Sequence, residues 1–274
     1  MLQKHMLYVT GLPRAGATLL CQLLNHHPDI DSSGAHSPLC SALVSLRQHL
    51  SQHNGLLTQL DSNFDPTYQQ LVRAYQGLVN GWVAGSDTPW VVDRSQDWLS
   101  QIELVQLLDP EFRMVVCLRE LGQIYGSIET HHHATQLIDF PDALAGLSRS
   151  ERAMKLFERD GIVGAPLNAL DAVQDVDQTF QSRFYYVIFE HLISDPLAVM
   201  ADMYQWLNLP AAPFDPKNLT VTPSPSHHSH HFKYPQSTDA QINPLPHHKV
   251  PQRFNIALKE NFSWYYSIFY PGLI

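Results

Sequence analysis

The ten residues from Gly11 to Leu20, Gly-Leu-Pro-Arg-Ala-Gly-Ala-Thr-Leu-Leu, constrain this chain more than any others. They follow an apolar run, Met6-Leu7-Tyr8-Val9, that reads as a buried strand. They lead into Leu19, Leu20, Leu23 and Leu24, which share one helical face. A strand, a glycine-containing loop and a helix in that order make an anion-binding device. The N–H groups of the first helical turn have no partner within the helix, and the helix dipole favours negative charge there. The candidate contacts are Gly11, Pro13, Arg14, Ala15, Gly16, Ala17 and Thr18. Their spacing, Gly11-x4-Gly16-x-Thr18, is that of a phosphate-cradling P-loop. At position 17, where an enzyme hydrolysing ATP or GTP carries its lysine, stands Ala17; the cation of the loop is Arg14. The loop reads as a holder of a phosphate-like group that is not wired for a nucleoside triphosphate and Mg²⁺. The competing reading is an ordinary strand-to-helix turn that contains two glycines.

Beyond the loop, strands and helices alternate. Asp29-Ile30-Asp31 starts a short extended segment, and helical patterns cover residues 38–53 and 66–83, the second with Leu71, Tyr75, Leu78 and Val79 on one face. Trp90-Val91-Val92 reads as a strand ending at Asp93-Arg94-Ser95, before a helix carrying Trp98, Ile102, Val105 and Leu108. Residues 112–118 are almost wholly apolar, the mark of a central parallel strand. Helices are expected through His132 and over residues 150–159. Residues 184–189 form a further strand. Asp195-Pro196 then opens a helix with Leu197, Met200, Tyr204 and Leu207 on its face. This order predicts an α/β fold of three layers, with a central parallel sheet and helices on both faces. Ligands in such folds sit at the carboxyl ends of the strands. Here those ends carry Arg14, Asp93-Arg94-Ser95, Arg119 and Phe189-Glu190.

A net charge of −9 over 274 residues argues against binding nucleic acid, which needs a basic surface. An acidic protein that holds an anion must gather its few cations at the site. No run approaches the roughly 20 apolar residues of a membrane span, and the first residues leave no room for a secretory leader. Three cysteines, Cys21, Cys40 and Cys117, are an odd number without paired spacing and read as reduced thiols of a cytoplasmic protein. Nine of the nineteen prolines and six histidines fall within residues 210–251. That stretch reads as a lid within a single domain of residues 1–274, closed by an aromatic helix over residues 254–266. The histidine groups at 131–133, 227–231 and 247–248 lack the cysteine partners or helical spacing of a metal site, and no metal is expected.

The second basic strand end is Arg119, with Ser127 eight residues on, two turns into the next helix. An arginine and a hydroxyl at that spacing can share one phosphate; a surface arginine beside a helical serine is the plain alternative. Taken with Pro13-Arg14-Ala15-Gly16-Ala17-Thr18, and with Phe189-Glu190-His191-Leu192 before Asp195-Pro196, the chain resembles the sulfotransferase superfamily over about residues 6–209. Those enzymes use 3′-phosphoadenosine 5′-phosphosulfate as donor. The likeness is closest to the bacterial branch that includes protein-tyrosine sulfotransferases, through Ser37-Pro38, Asp93 to Trp98, Gly161 to Leu170 and the closing aromatic stretch.

The resemblance implies roles for particular residues. Arg14 would sit against the bridging oxygen of the phosphosulfate, and Arg94 or Ser95 against the moving sulfuryl group. Arg119 and Ser127 would bind the 3′-phosphate, Phe189 would stack near adenine, and Lys233 would close on the 3′-phosphate from the lid. The acceptor is then a hydroxyl of a peptide tyrosine, a carbohydrate or a small molecule. His36 is the first candidate for its base, with Asp93 and Asp97 as rivals. The chain departs from the family pattern at Ala15 and Ala17, where hydroxyl side chains are replaced, and at Phe189, where tyrosine is usual. Two other classes compete: a nucleotide kinase or NTPase using Asp93 to hold Mg²⁺, and a non-catalytic nucleotide-binding protein.

Overall fold

The structure is a computed structural model. It describes residues 1–134, 144, 146–219, 241–242 and 247–273; of residues 131–134 it describes the helical backbone alone. Five strands form one parallel sheet: β1 (His5–Gly11), β2 (Ile30–Asp31), β3 (Trp90–Arg94), β4 (Arg113–Leu118) and β5 (Phe184–Ile188), in the order β2-β3-β1-β4-β5. The order reverses about β1, so the loop that leaves β1 opens at the point where ligands bind in such sheets. The strands read as unbroken apolar runs because helices cover them: Met6, Leu7, Tyr8 and Val9, and Met114 to Leu118, are almost fully buried. The fold is the α/β parallel-sheet architecture expected from the alternation of elements.

The first helix, α1 (Ala17–Leu24), buries Leu20, Leu23 and Leu24 as its pattern requires. Helices α2 (Leu39–Ser51) and α4 (Phe64–Trp82) follow the expected ranges, with Tyr75 and Val79 of α4 in the core. Between them lies a helix absent from the sequence reading, α3 (Asn54–Ser62). It buries no residue and so leaves no apolar period to read. The helix expected after Asp93-Arg94-Ser95 is split into a 3-10 turn, Gln96–Gln101, and α5 (Ile102–Leu108). The cause is Trp98, fully buried, whose Nε1 donates to Asp93 Oδ1 at 2.7 Å and whose ring meets Tyr8 edge-on.

α6 (Leu121–Ala134) carries Ser127. It is fastened to the helix Arg149–Phe157 by Arg152, which donates from Nε and Nη2 to the Glu129 carboxylate at 2.7 and 2.9 Å. In the helix Pro196–Trp206 the buried face is Met200, Met203 and Tyr204; Leu197, expected on that face, is half exposed. Asp195 caps this helix through Ala198 N, as its place before Pro196 implies.

The closing aromatic stretch forms two helices, Gln252–Asn261 and Ser263–Phe269, where one was expected. Phe262 leaves helical backbone between them and turns its ring toward Phe157. Residues 220–240 and 243–246 of the expected lid, with Lys233, His227, His228, His230 and His231, lie outside the described residues, as do the side chains of His131, His132 and His133. Among the described residues no helix is long and apolar enough to cross a membrane.

Candidate active site

The loop between β1 and α1 is built from unusual backbone. Gly11 has φ 128° and lies opposite Cys117 in the sheet, and a Cβ on it would come within 2.2 Å of the Cys117 carbonyl oxygen. Only glycine lets β1 and β4 stay paired here while the chain turns. Gly16 has φ 84° at the start of α1, and a Cβ on it would lie 2.4 Å from the Phe189 ring. Arg14 itself has φ 62°, a conformation that non-glycine residues adopt at a cost. Among the described residues no side chain caps α1, and its first residues, Ala17 and Thr18, line the cleft.

That cleft, about 260 Å³, opens at the carboxyl ends of the strands. Gly11, Arg14, Ala15, Gly16, Ala17 and Thr18 line it from the loop, joined by Arg94, Arg119 and Phe189 from β3, β4 and β5. Four strand ends separated by up to 178 positions in sequence thus converge on one space. Pro13 is buried behind the loop and Ser127 behind Arg14.

Two arginines dominate the electrostatics. Arg119 is 4 % exposed; its Nη1 donates to the Arg14 carbonyl at 3.0 Å, and its guanidinium lies 5.0 Å above the Phe189 ring. Its Nε is buried with no hydrogen-bond partner among the described residues. Arg14 donates from Nε to Ser127 Oγ at 3.2 Å. Burial, and after it the charge of Arg119, brings the Arg14 guanidinium down to about 10. Burial lowers Arg119 too, against the pull of Glu190. Ser127 therefore meets Arg14 directly, whereas the eight-residue spacing had paired it with Arg119. The three residues still form one chain of contacts.

His36 is not brought into this cleft. It lines a neighbouring one of about 410 Å³ with Ser37, Trp82, Asp93 and Arg94. Arg94 lines both, and its Nη1 donates to Gly34 O at 2.7 Å, which holds the His36 loop. The His36 Nδ1 lies 3.0 Å from the Ser37 carbonyl, which can only accept. Nδ1 therefore carries the proton and Nε2 is the basic atom of the neutral ring. Asp97 is exposed, with its N–H on Ser95 Oγ.

Asp93 is buried, and that raises its carboxyl to about 6, with hydrogen bonds from Ser37 and Trp98 opposing the rise. A raised folded-state value stabilises the fold fully below the ordinary carboxylate range, and this stabilisation is lost as pH rises through about 6. Asp93→Asn keeps an acceptor for Trp98 Nε1 and removes the titration. Its melting temperature, relative to wild type, is expected to rise between pH 4 and pH 7.5; a difference that stays flat across that range would show that Asp93 does not titrate in the folded protein.

The sequence reading gave no site role to the residues bonded around the Arg119–Glu120 peptide, Glu190, Tyr265, Tyr266 and Tyr270, or to the Glu120 side chain. Nor did it give one to His248, whose backbone exchanges hydrogen bonds with the Gln123 side chain and whose Nδ1 lies 3.1 Å from Thr130 Oγ1. Cys21, Cys40 and Cys117 are all free and buried, and burial pushes their thiols up.

The model of the sulfotransferase family matches residues 7–213, and the chain belongs to that family. Among solved structures, the sulfotransferase domain from the curacin biosynthetic pathway is 16% identical. That match covers 96% of this chain and 99% of the other, with a TM-score of 0.54, and it supports the same fold. The sulfotransferase domain of the Synechococcus PCC 7002 olefin synthase is 18% identical over 96% of both chains, with a TM-score of 0.44. A search of curated protein sequences finds no match. The family match does not single out the protein-tyrosine branch.

Proposed function

We propose that this protein transfers a sulfuryl group from 3′-phosphoadenosine 5′-phosphosulfate to an acceptor hydroxyl by in-line displacement. The observation that carries the reading is Arg119: a guanidinium buried at a strand end, fastened to the loop through the Arg14 carbonyl, with an Nε that lacks a partner among the described residues. A buried donor left unpaired is costly, and a phosphate oxygen satisfies it. Arg14 points the same way: burial first, and then the charge of Arg119, depress its guanidinium, and an anion beside it would offset both. The donor groups present fit a nucleotide with an anionic group at both its 3′ and 5′ positions.

In this reading the loop from Gly11 to Thr18 and the first turn of α1 hold the 5′-phosphosulfate, with backbone N–H groups and Thr18 serving where Ala15 and Ala17 offer no hydroxyl. Arg119 takes the 3′-phosphate, with Ser127 acting through Arg14. Phe189 forms the wall behind Gly16, near the adenine. The acceptor oxygen attacks sulfur, and the sulfur–oxygen bond to the phosphate breaks. Arg14 stabilises the charge that the phosphate gains, and Arg94 steadies the sulfuryl group. The acceptor enters by the neighbouring cleft, where His36 Nε2 takes its proton. A peptide tyrosine, a carbohydrate and a small alcohol all present the required hydroxyl. No metal enters this scheme. The chain works as one cytoplasmic domain.

The kinase reading is less well supported, because Ala17 stands at the lysine position and Asp93 already accepts from Trp98. Thermal melts test the choice of donor. A ligand at 100 times its dissociation constant stabilises by about 2.7 kcal/mol. 3′,5′-ADP is expected to raise the melting temperature more than ATP–Mg²⁺ at equal concentration; an equal or larger shift with ATP–Mg²⁺ would favour the kinase. Tight 3′,5′-ADP binding without transfer to a broad panel of hydroxyl compounds would favour a non-catalytic nucleotide-binding protein.

A further inference from the structure

The peptide unit that joins Arg119 to Glu120 is held at both of its polar ends by side chains from distant parts of the chain. Its carbonyl accepts from Tyr265 OH at 2.9 Å, and its N–H donates to Glu190 Oε1 at 3.2 Å. The second layer is equally specific. Glu190 Oε2 accepts from Tyr270 OH at 2.8 Å, which fixes the carboxylate that holds the N–H. Glu120 Oε1 accepts from Tyr266 OH at 2.6 Å. The same carboxylate takes the Gly122 and Gln123 N–H groups at 3.0 and 2.8 Å, so it caps the start of α6. Three tyrosines within six positions, in and just after the helix Ser263–Phe269, thus act around one peptide unit at the end of β4: Tyr265 bonds it directly, Tyr270 through Glu190, and Tyr266 fixes the Glu120 side chain beside it.

The geometry points to Tyr265, Tyr266 and Tyr270 as positioning residues for anion recognition, a clamp by which the closing helix sets the direction of Arg119. The peptide orientation at a strand end decides where the next side chain goes. Here that side chain is the buried guanidinium lying over Phe189 and on the Arg14 carbonyl. The tyrosines are suited to the task. Burial and the neighbouring carboxylates push all three hydroxyls well above the usual tyrosine value, so each remains a donor at any working pH. Tyr265 and Tyr266 are buried in an aromatic cluster with Phe269 and Tyr270, which gives the hydroxyls a rigid base. The inference rests on reading Arg119 as the ligand of the 3′-phosphate, and its test is arranged in two arms so that the two can fail separately.

The variants are Tyr265→Phe, Tyr270→Phe and their combination, which remove hydroxyls and keep the rings. Tyr185→Phe is the control, since that hydroxyl bonds Asp202 away from the cleft. The first arm reads Arg119 itself, by the ¹⁵N order parameter of its Nε–H. Order is expected to fall in the double variant and to stay unchanged in the control; unchanged order in the double variant overturns the clamp whatever the ligand. The second arm is the ratio of 3′,5′-ADP to 5′-AMP affinity. It is expected to fall about three- to tenfold in Tyr265→Phe, the range a single neutral hydrogen bond covers. The change should be absent when Arg119 is already alanine, because the tyrosine acts through it. A ratio that holds while Arg119 loosens overturns the role in recognition. A wild type that does not discriminate the two nucleotides overturns the phosphate reading instead.

Discussion

Arg14→Ala is expected to lower turnover by about 10²–10³, the usual cost of removing one group that stabilises transition-state charge. The loop of this chain concentrates that duty on one side chain. Ala15 and Ala17 offer no hydroxyl, and Ala17 replaces the lysine a phosphate loop often carries. Arg14 is held in place by strain and by contact: its backbone has φ 62°, its Nε meets Ser127 Oγ, and its carbonyl receives Arg119 Nη1. Negative charge on the leaving phosphate is greatest in the transition state, so the loss falls on rate more than on binding. Affinity for 3′,5′-ADP is expected to drop far less than turnover. Arg14→Lys should recover part of the rate, since it returns the charge without the planar fork that meets Ser127. The measurement is sulfate transfer to an accepted hydroxyl compound beside a binding titration. Turnover like that of the wild type in Arg14→Ala would remove Arg14 from the chemistry.

The parts of this molecule that are legible in its sequence are those written locally. A buried parallel strand is a short apolar run, and four of the five runs here lead to residues that line the cleft: Arg14, Arg94, Arg119 and the aromatic Phe189. The phosphate loop is legible because glycine at two fixed positions answers a steric demand, set by Cys117 at Gly11 and by Phe189 at Gly16. What stayed hidden depends on partners far along the chain. The tyrosine clamp joins positions 146 apart, and nothing in residues 263–270 alone says that their hydroxyls meet Arg119 and Glu120. His36, read as the base for the acceptor, lies in the neighbouring cleft that shares Arg94 with the phosphate loop's cleft, and the sequence around it did not show that two clefts meet there. α3 was missed because it packs nothing into the core. The break at Phe262 was missed because helical periodicity continues across it.

Arg119→Ala is expected to weaken 3′,5′-ADP about ten- to a hundredfold while leaving 5′-AMP nearly unchanged, the effect of losing a charge-assisted hydrogen bond to one phosphate. The comparison of two ligands is needed because Arg119 does two things. It lines the cleft and has an Nε without a partner among the described residues, and it ties the end of β4 to the loop through the Arg14 carbonyl. Loss of the tie would disturb the whole donor site and weaken both nucleotides together. Loss of the ligand would weaken only the one that carries the 3′-phosphate. Arg119→Lys separates the two further, since it keeps a cation at the strand end but not the planar group lying over Phe189. Intermediate discrimination is expected from it. Increasing salt should narrow the gap between the nucleotides in the wild type more than in Arg119→Ala, because the difference is electrostatic. Equal weakening of 3′,5′-ADP and 5′-AMP would make Arg119 a fastening between strand and loop, and the 3′-phosphate would have to be held elsewhere.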